Sequence, residues 1–123
     1  MKRIKFAVLA CALAVMALSS TTAAFQGKNL DFKLINKTGL QISELYLSTS
    51  DDDKWGEDVL GRDVLKNGED VDITFSSGET KCMWDLKIVD SDEDDVIWTK
   101  INLCEASVIT LNYKGGKPTA IIK

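Results

Sequence analysis

Short segments of alternating apolar and polar residues, separated by turn residues, restrict the fold of this chain more than any other feature. The clearest segment places Val71, Ile73 and Phe75 on one face, with polar residues between them. A period of two is the pattern of a strand that buries one face and exposes the other. No segment after residue 24 keeps a 3.6-residue apolar period over the roughly 11 residues that a convincing helix needs. The sequence therefore predicts an all-β chain.

Seven segments carry strand signals, and turn formers such as Asn, Asp, Gly and Ser separate them. The predicted strands are 30–36, 42–48, 70–76, 82–88, 96–103, 107–113 and 119–122. A chain of 123 residues has room for one domain. Seven short antiparallel strands predict a single small β-sandwich of the immunoglobulin-like kind.

The segment 50–66 lacks a strand pattern and is predicted to be a loop with one short helical turn. Its apolar residues are expected to plug one end of the sandwich, and its two glycines to supply positive φ or a close backbone approach. The candidate binding loop within it consists of Trp55, Gly56, Asp58, Leu60 and Gly61.

Residues 1–24 have the order of a secretory signal peptide: basic residues, an apolar run over 6–18, then small residues ending at Ala24. The apolar run is shorter than the roughly 20 residues that span a bilayer, so no membrane anchor is expected in the mature form. A lipoprotein cleavage site at Cys11 is rejected because the apolar run continues beyond it. Cleavage after Ala24 would release a periplasmic or secreted domain, residues 25–123.

The mature chain is acidic. Residues 1–24 contain three of the 15 basic residues and none of the 19 acidic ones, so 12 basic groups remain against 19 acidic groups, a net charge of −7. Such a chain repels the phosphate backbone, and no cluster of Lys or Arg interleaved with aromatic residues offsets the repulsion. Nucleic acid is therefore not an expected partner.

Cys82 and Cys104 remain after cleavage, and an oxidising compartment favours a disulfide between such a pair. A redox enzyme would place its thiols in a C-x-x-C arrangement, whereas these residues stand 22 positions apart. A structural disulfide is predicted.

The strands on either side of a run of acidic residues are predicted to pair as a hairpin. Because Glu93 is midway between Cys82 and Cys104, a symmetric hairpin centred on it would bring the cysteines opposite each other. That register sets Leu86 against the charged Lys100. A shift of one residue would give Leu86 an apolar partner but misalign the cysteines, and a β-bulge would reconcile the two requirements.

Several short motifs occur together along the mature chain. They are Asn36-x-Thr38-Gly39, Ile42-x-x-Leu45-Tyr46-x-Ser48, Trp55-Gly56-x-Asp58-x-Leu60-Gly61, Leu65-x-x-Gly68, and Cys82-x-Trp84-Asp85-Leu86 answered by Leu103-Cys104. In this combination the chain resembles a family of small exported bacterial proteins of unknown function. Some members carry the automatic name argininosuccinate lyase, which this chain does not support because it is too short and has no His. The Asp-Gly hairpin turn typical of the family is replaced here by four acidic residues, 92–95.

Two acidic clusters are candidate calcium sites, because calcium takes six to eight oxygen ligands and grouped carboxylates on loops can supply them. The stronger expectation is that these carboxylates belong to solvated turns that keep a sheet edge soluble. The candidate ligands are Asp51, Asp52, Asp53 and Asp58 in the first cluster and Asp90, Asp92, Asp94 and Asp95 in the second.

Three tryptophans raise the alternative of a carbohydrate-binding surface, on which exposed indole rings would stack against sugars. Trp84 lies on the inward face of its strand and is predicted to be in the core. Trp98 is ambiguous because its strand has apolar residues on both faces. Trp55 is the best candidate for exposure, although plugging the loop is the stronger expectation.

Catalysis has the weakest support. The chain has no His, which excludes Ser-His-Asp and Cys-His nucleophile pairs and His-ligated metal sites. Nothing marks a carboxylate pair as buried in a cleft, as glycoside hydrolysis requires. The sequence predicts a non-enzymatic binding domain that needs no cofactor and whose favoured partner is an envelope or extracellular protein. A calcium-binding or calcium-stabilised module and a carbohydrate-binding domain are the alternatives.

Overall fold

The computed structural model describes residues 29–52, 54–76 and 78–123. Within these ranges the chain forms seven β-strands and a short 3₁₀ helix at Leu103–Glu105. The described residues contain no helix that is long and apolar enough to cross a membrane. The strands are β1 (Phe32–Lys37), β2 (Ile42–Thr49), β3 (Asp70–Ile73), β4 (Met83–Asp90), β5 (Asp95–Asn102), β6 (Val108–Lys114) and β7 (Lys117–Ile122). The all-β prediction is confirmed. The predicted signal peptide, with its cleavage site, lies outside the described residues.

The strands form two sheets, which we call sheet A, in the order β3-β1-β6-β7, and sheet B, in the order β2-β4-β5. Every pairing is antiparallel except that of β1 with β6, which is parallel and aligns Lys33 with Val108. This pair differs from the purely antiparallel prediction. A parallel pair needs a long crossover connection, and the chain supplies one by building sheet B and β3 between the two strands.

The two sheets share one hydrophobic core. Phe32 and Leu34 of β1 enter it from sheet A, and Leu86 and Ile88 of β4 enter it from sheet B. Burying each such side chain stabilises the fold by about 1.5–3 kcal/mol. Trp84 is buried as predicted.

Asn36 is a fully buried polar residue at the end of β1. Its Nδ2 donates hydrogen bonds to the carbonyl oxygens of Leu40 (2.8 Å) and Leu65 (3.0 Å). Its Oδ1 accepts from the backbone N–H (3.0 Å) and the hydroxyl of Thr38. One side chain therefore ties the turn after β1 to the segment beside β2, and its burial costs little because both ends of the amide are paired.

The segment 50–66 contains turns but no helix in its described residues, so the predicted helical turn is wrong. Leu60 and Leu65 are buried in the core, as the prediction of an apolar plug requires, whereas Val59 and Val64 are exposed. Leu65 and Ile42 exchange backbone hydrogen bonds at 2.8 and 2.9 Å. The segment is therefore held by pairing with β2 and by two single turns, in which the N–H of Gly61 donates to the carbonyl of Asp58 (3.1 Å) and that of Asp63 to the carbonyl of Leu60 (3.0 Å). These turns do not join into a helix.

The two glycines of this segment differ. Gly61 has a φ of +61°, as predicted. The prediction is wrong for Gly56, which has no positive φ and whose Cβ position would meet no atom within 4 Å.

Cys82 and Cys104 are bonded, with their Cα atoms 5.0 Å apart, which confirms the predicted disulfide. The symmetric register centred on Glu93 is wrong. Near the turn, Leu86 pairs with Trp98, two positions from the predicted partner Lys100. This register gives Leu86 an apolar neighbour on the inward face of sheet B.

A β-bulge in β5 restores the alignment of the cysteines. Past the bulge, Trp84 pairs with Ile101, one position further along β5 than the earlier register would give. Lys100 occupies the bulge with a φ of +57°, and its N–H donates to Oδ1 of Asp85 at 2.9 Å. Cys104 then lies in the 3₁₀ turn beyond the end of β5. The expectation that a bulge reconciles the two requirements is confirmed.

The acidic turn between β4 and β5 places Glu93 at a φ of +70°, a conformation that favours glycine. We expect Glu93→Gly to raise the free energy of unfolding by roughly 0.5–1 kcal/mol, since strain is relieved and a charge leaves an acidic turn. Urea denaturation measures the change. Asp92→Gly is the matched control, because it also removes a charge from the turn and adds freedom to the unfolded chain, but Asp92 is not at positive φ. Equal effects of the two substitutions would contradict the interpretation.

Candidate functional site

Hydrogen bonds to the Asp58 carboxylate join the predicted binding loop to the edge of β2. The Oδ1 atom of Asp58 accepts hydrogen bonds from the backbone N–H groups of Leu45 (2.9 Å) and Leu60 (3.0 Å). The N–H of Val59 donates to the carbonyl of Leu45 at 2.8 Å. Asp58 therefore acts as an acceptor that shapes the loop, and the loop covers this sheet edge.

Trp55 is half-buried beside Lys87 of β4. The Nζ atom of Lys87 is 5.0 Å from the centroid of the Trp55 ring and 5.1 Å from that of Tyr46. A cation between two aromatic rings attracts both of them. A lysine of the same chain thus occupies one face of the indole, which weighs against a free sugar-stacking platform at this position.

Tyr46 donates a hydrogen bond from its phenol to the Glu44 carboxylate. This bond, partial desolvation and the negative charges of Glu44 and Asp58 raise the pKa of Tyr46 to about 12. Ultraviolet titration of Tyr113→Phe protein, whose remaining tyrosine is Tyr46, should show ionisation only near that value.

Glu44→Gln in this background should lower the pKa of the phenol towards the usual value of about 10, since both the acceptor charge and the hydrogen bond weaken. Glu57→Gln removes a charge of the same sign from the nearby loop and serves as the control, with no change expected. An unchanged pKa of Tyr46 in the Glu44→Gln variant would contradict the conclusion that Glu44 raises it.

The first acidic cluster is dispersed. Asp51 forms an exposed ion pair with Lys81, and this hydrogen-bonded contact lowers the pKa of Asp51 and raises that of Lys81. Asp52 accepts from the backbone N–H of Lys54 at 3.1 Å. The carboxylate of Asp58 accepts backbone hydrogen bonds within and beside the loop, as described above. Asp53 lies outside the described residues.

The second acidic cluster surrounds a turn that Asp90 organises. Its Oδ1 accepts from the N–H groups of Asp92 (2.8 Å) and Asp94 (3.0 Å), while Asp92, Asp94 and Asp95 are exposed. Across residues 29–52, 54–76 and 78–123, no three carboxylates or cysteines are grouped so as to hold a metal ion. Calcium binding stays a prediction.

Three of the four sheet edges are protected against pairing with another chain. The loop 50–66 covers β2, as described above. β3 has four residues and carries Asp70 and Asp72, and β5 has a bulge at Lys100. Short strands, charges, bulges and covering loops are the usual means by which proteins block sheet edges.

β7 forms the fourth edge, and within the described residues its protection is confined to the first two positions, Lys117 and Pro118. It has six residues, pairs with β6 in an unbroken register and carries no acidic residue. Pro118 lies near its start and removes one donor. The four residues after Pro118 therefore form a regular open edge.

The direction of the β7 backbone groups follows from one pair at the end of the sheet. Val108 and Lys123 exchange both backbone hydrogen bonds, at 3.0 and 2.9 Å. Because hydrogen-bonded and non-hydrogen-bonded pairs alternate in an antiparallel ladder, Ile121 also bonds to β6, whereas Ala120 and Ile122 do not. The N–H and C=O groups of Ala120 and Ile122 therefore point away from the sheet.

A groove of about 480 Å³ lies between β5 and β7, on the open side of the sandwich. The side chain of Trp98 reaches from β5 to β7, where its Nε1 donates a hydrogen bond to the carbonyl of Thr119 at 2.8 Å. Ile97 and Ile122, which line this groove, are 40% and 39% exposed. Ile121, which is 52% exposed, lies on the opposite face of β7. We call the free edge of β7 together with this groove the β7 edge surface.

The sequence reasoning did not single out the β7 edge surface. One signal was present: Ile121 and Ile122 are adjacent, so a strand that contains both has an aliphatic residue on each face. Gly115 and Gly116, with φ of +60° and +77°, form the two-residue turn that places β7 beside β6. The two glycines indicate a turn, but the edge position of the strand that follows depends on the order of strands in sheet A.

No protein-family model and no curated protein matches this chain. It does have a structural neighbour. The fold is similar to that of the NMR structure of a protein from Eubacterium rectale, with a TM-score of 0.53 and 10% sequence identity over 85% of this chain and 94% of the other. At this identity the similarity shows the fold alone.

Proposed function

We propose that this chain is an exported, non-enzymatic domain that binds a protein in the periplasm or outside the cell. The observation that carries the proposal is the β7 edge surface, where unpaired backbone groups and exposed isoleucines lie beside one groove. An unprotected edge with aliphatic side chains favours pairing with another chain. A specific partner that pairs with this edge would prevent its association with other chains, and the edge would then be a binding site.

The disulfide supports the extracytoplasmic part of the proposal. Cys82 and Cys104 are bonded, and structural disulfides persist in oxidising compartments. The signal-peptide pattern of residues 1–24 agrees with an exported domain.

The lining of the groove supports binding rather than catalysis. It consists mainly of aliphatic, hydroxyl and amide side chains together with Trp98, and its ionisable members are Lys100 and Glu105. Aromatic and aliphatic residues with a few charged neighbours are typical of protein-binding surfaces.

Site-specific photo-crosslinking tests the proposal. A photoreactive amino acid replaces Ile97 or Ile122 in the full chain, produced in its own organism, and the adducts are separated by mass. We expect one defined protein adduct from both positions. Val64, which is 42% exposed on the loop 50–66 and so matches the 40% exposure of Ile97, is the control and should give none. No adduct at the two groove positions, or the same adduct at Val64, would reject the proposal.

A further inference from the structure

We infer that the partner binds the β7 edge surface as an extended acidic segment, which pairs with β7 as an additional strand of sheet A. The inference rests on the proposed function and specifies the mode of binding and the chemistry of the partner.

The backbone of β7 provides the first part of the argument. The outward N–H and C=O groups of Ala120 and Ile122, with the outward C=O of Pro118, repeat at every second residue. An extended strand about 4.8 Å away can pair with all of them. This pairing needs no rearrangement of the bonds that β7 makes with β6.

The groove provides the second part, because it lies beneath the position that the added strand would take. Ala120 and Ile122 pair with the buried residues Leu111 and Ile109, so all four lie on the inward face of sheet A. Every second side chain of an added strand would point the same way, into the groove next to Trp98. The segment should therefore carry apolar residues at alternate positions.

Charge provides the third part. Residues 114–123 include Lys114, Lys117 and Lys123 and no acidic residue, in a mature chain in which 19 acidic groups outnumber 12 basic ones. Lys100 and Glu105 also line the groove, so four lysines stand against one glutamate around this surface. This local excess of positive charge favours a partner with Asp or Glu at the ends of its apolar segment.

The same charges disfavour a second copy of this chain as the occupant. If two copies of β7 paired antiparallel around Ala120, Lys117 of each would face Lys123 of the other. Like charges directly opposite each other destabilise a strand pair. An acidic segment relieves the repulsion that a second copy would create.

Binding of synthetic peptides to the exported, oxidised protein tests the inference by NMR. The probe is a capped peptide of alternating valine and threonine with aspartate at both ends. We expect it to shift the amide signals of Ala120 and Ile122 and to slow their hydrogen exchange. A version with lysine in place of aspartate should bind at least roughly tenfold more weakly, and a version with N-methylated backbone amides should not bind.

Two variants locate the site. Lys117→Glu with Lys123→Glu should reverse the preference between the aspartate and lysine probes, without removing a backbone group. Ala120→Pro removes an outward donor and should weaken binding at least roughly tenfold. Asp72→Pro is the matched control: the bond from the Asn36 N–H to the Glu69 carbonyl (2.9 Å) implies that the Asp72 amide points outward from the opposite edge of sheet A.

Equal binding of the aspartate and lysine probes, undiminished binding of the N-methylated probe, or signal shifts centred on β3 would overturn strand addition at β7. A concentration-dependent dimer that excludes the probe would assign the edge to a second copy and overturn it as well. If the crosslinks at Ile97 and Ile122 form but the aspartate probe does not bind, strand addition is rejected while protein binding stands. Without the crosslinks, the proposed function itself fails.

Discussion

Removal of the disulfide in a Cys82→Ser, Cys104→Ser double variant is expected to lower the free energy of unfolding by about 3 kcal/mol. The bridge closes a loop between residues 22 positions apart, and opening it returns conformational freedom chiefly to the unfolded chain. For a domain of this size the loss corresponds to a decrease of roughly 10–25 °C in Tm. Thermal and urea denaturation followed by circular dichroism measure both quantities.

A reductant provides the control for this experiment. It should lower the Tm of the native protein to that of the double variant and leave the variant unchanged. We expect the variant to keep sheet B, because β4 and β5 pair from Val89–Asp95 to Met83–Asn102 without help from the bridge. Identical melting of the oxidised native protein and the variant would show that the bridge does not stabilise the domain.

Replacement of Asn36 by Asp is expected to destabilise the domain by about 3 kcal/mol or more at neutral pH. The Asn36 amide nitrogen donates to two carbonyl oxygens, those of Leu40 and Leu65. A carboxylate has no hydrogen to donate, so a buried negative charge would face two acceptors. Repulsion and burial would raise the pKa of the introduced carboxyl in the folded state.

The pH dependence distinguishes this charge effect from simple loss of packing. A raised folded-state pKa means that the penalty is smallest below the unfolded value of about 3.9 and grows as the pH rises through the folded value. Urea denaturation at pH 4 and pH 7, each compared with the native protein, should therefore show the larger difference at pH 7. Asn36→Ala is the control and should lose stability equally at both pH values. A pH-independent cost for Asn36→Asp would contradict the assignment.

The strands and the core were predictable because their signals are local. In β4, Trp84, Leu86 and Ile88 alternate with polar or half-buried residues, and they lie on the inward face as the period of two requires. The disulfide was predictable because two cysteines allow a single intramolecular pairing. Trp98 was ambiguous because Ile97 beside it is also apolar, and only the packing of the sheets decides which of the two is buried.

Register and strand order were not predictable, because they depend on contacts between distant segments. The bulge at Lys100 reflects a hydrogen bond to Asp85 and the inward match of Leu86 with Trp98. Both contacts join β5 to β4, so the alternation of apolar and polar residues within β5 does not indicate them. The parallel pairing of β1 with β6 likewise leaves no trace in either strand, since both alternate as antiparallel strands do.

The candidate site shows the same division. Asp58 and Asp90 are candidate calcium ligands by sequence because clustered carboxylates suit that ion, yet each accepts two backbone N–H groups. A carboxylate in a turn is suited to either role, and the sequence does not distinguish them. The β7 edge surface could not be located from its residues, because only the order of strands in sheet A makes β7 an edge.

The parallel pairing of β1 with β6 also determines when folding can finish. Lys33 and Val108 are aligned although 75 positions separate them, so the middle of sheet A joins the first strand to the sixth. Contacts of such long range slow folding, because the chain loses the entropy of closing a large loop before the contacts of the strand pair can stabilise it. A chain that emerges from its N-terminus first can form the hairpin of sheet B early, but β1 waits for residues 108–114. Folding of this domain should therefore be completed only near the end of its emergence, whether from a ribosome or through a membrane.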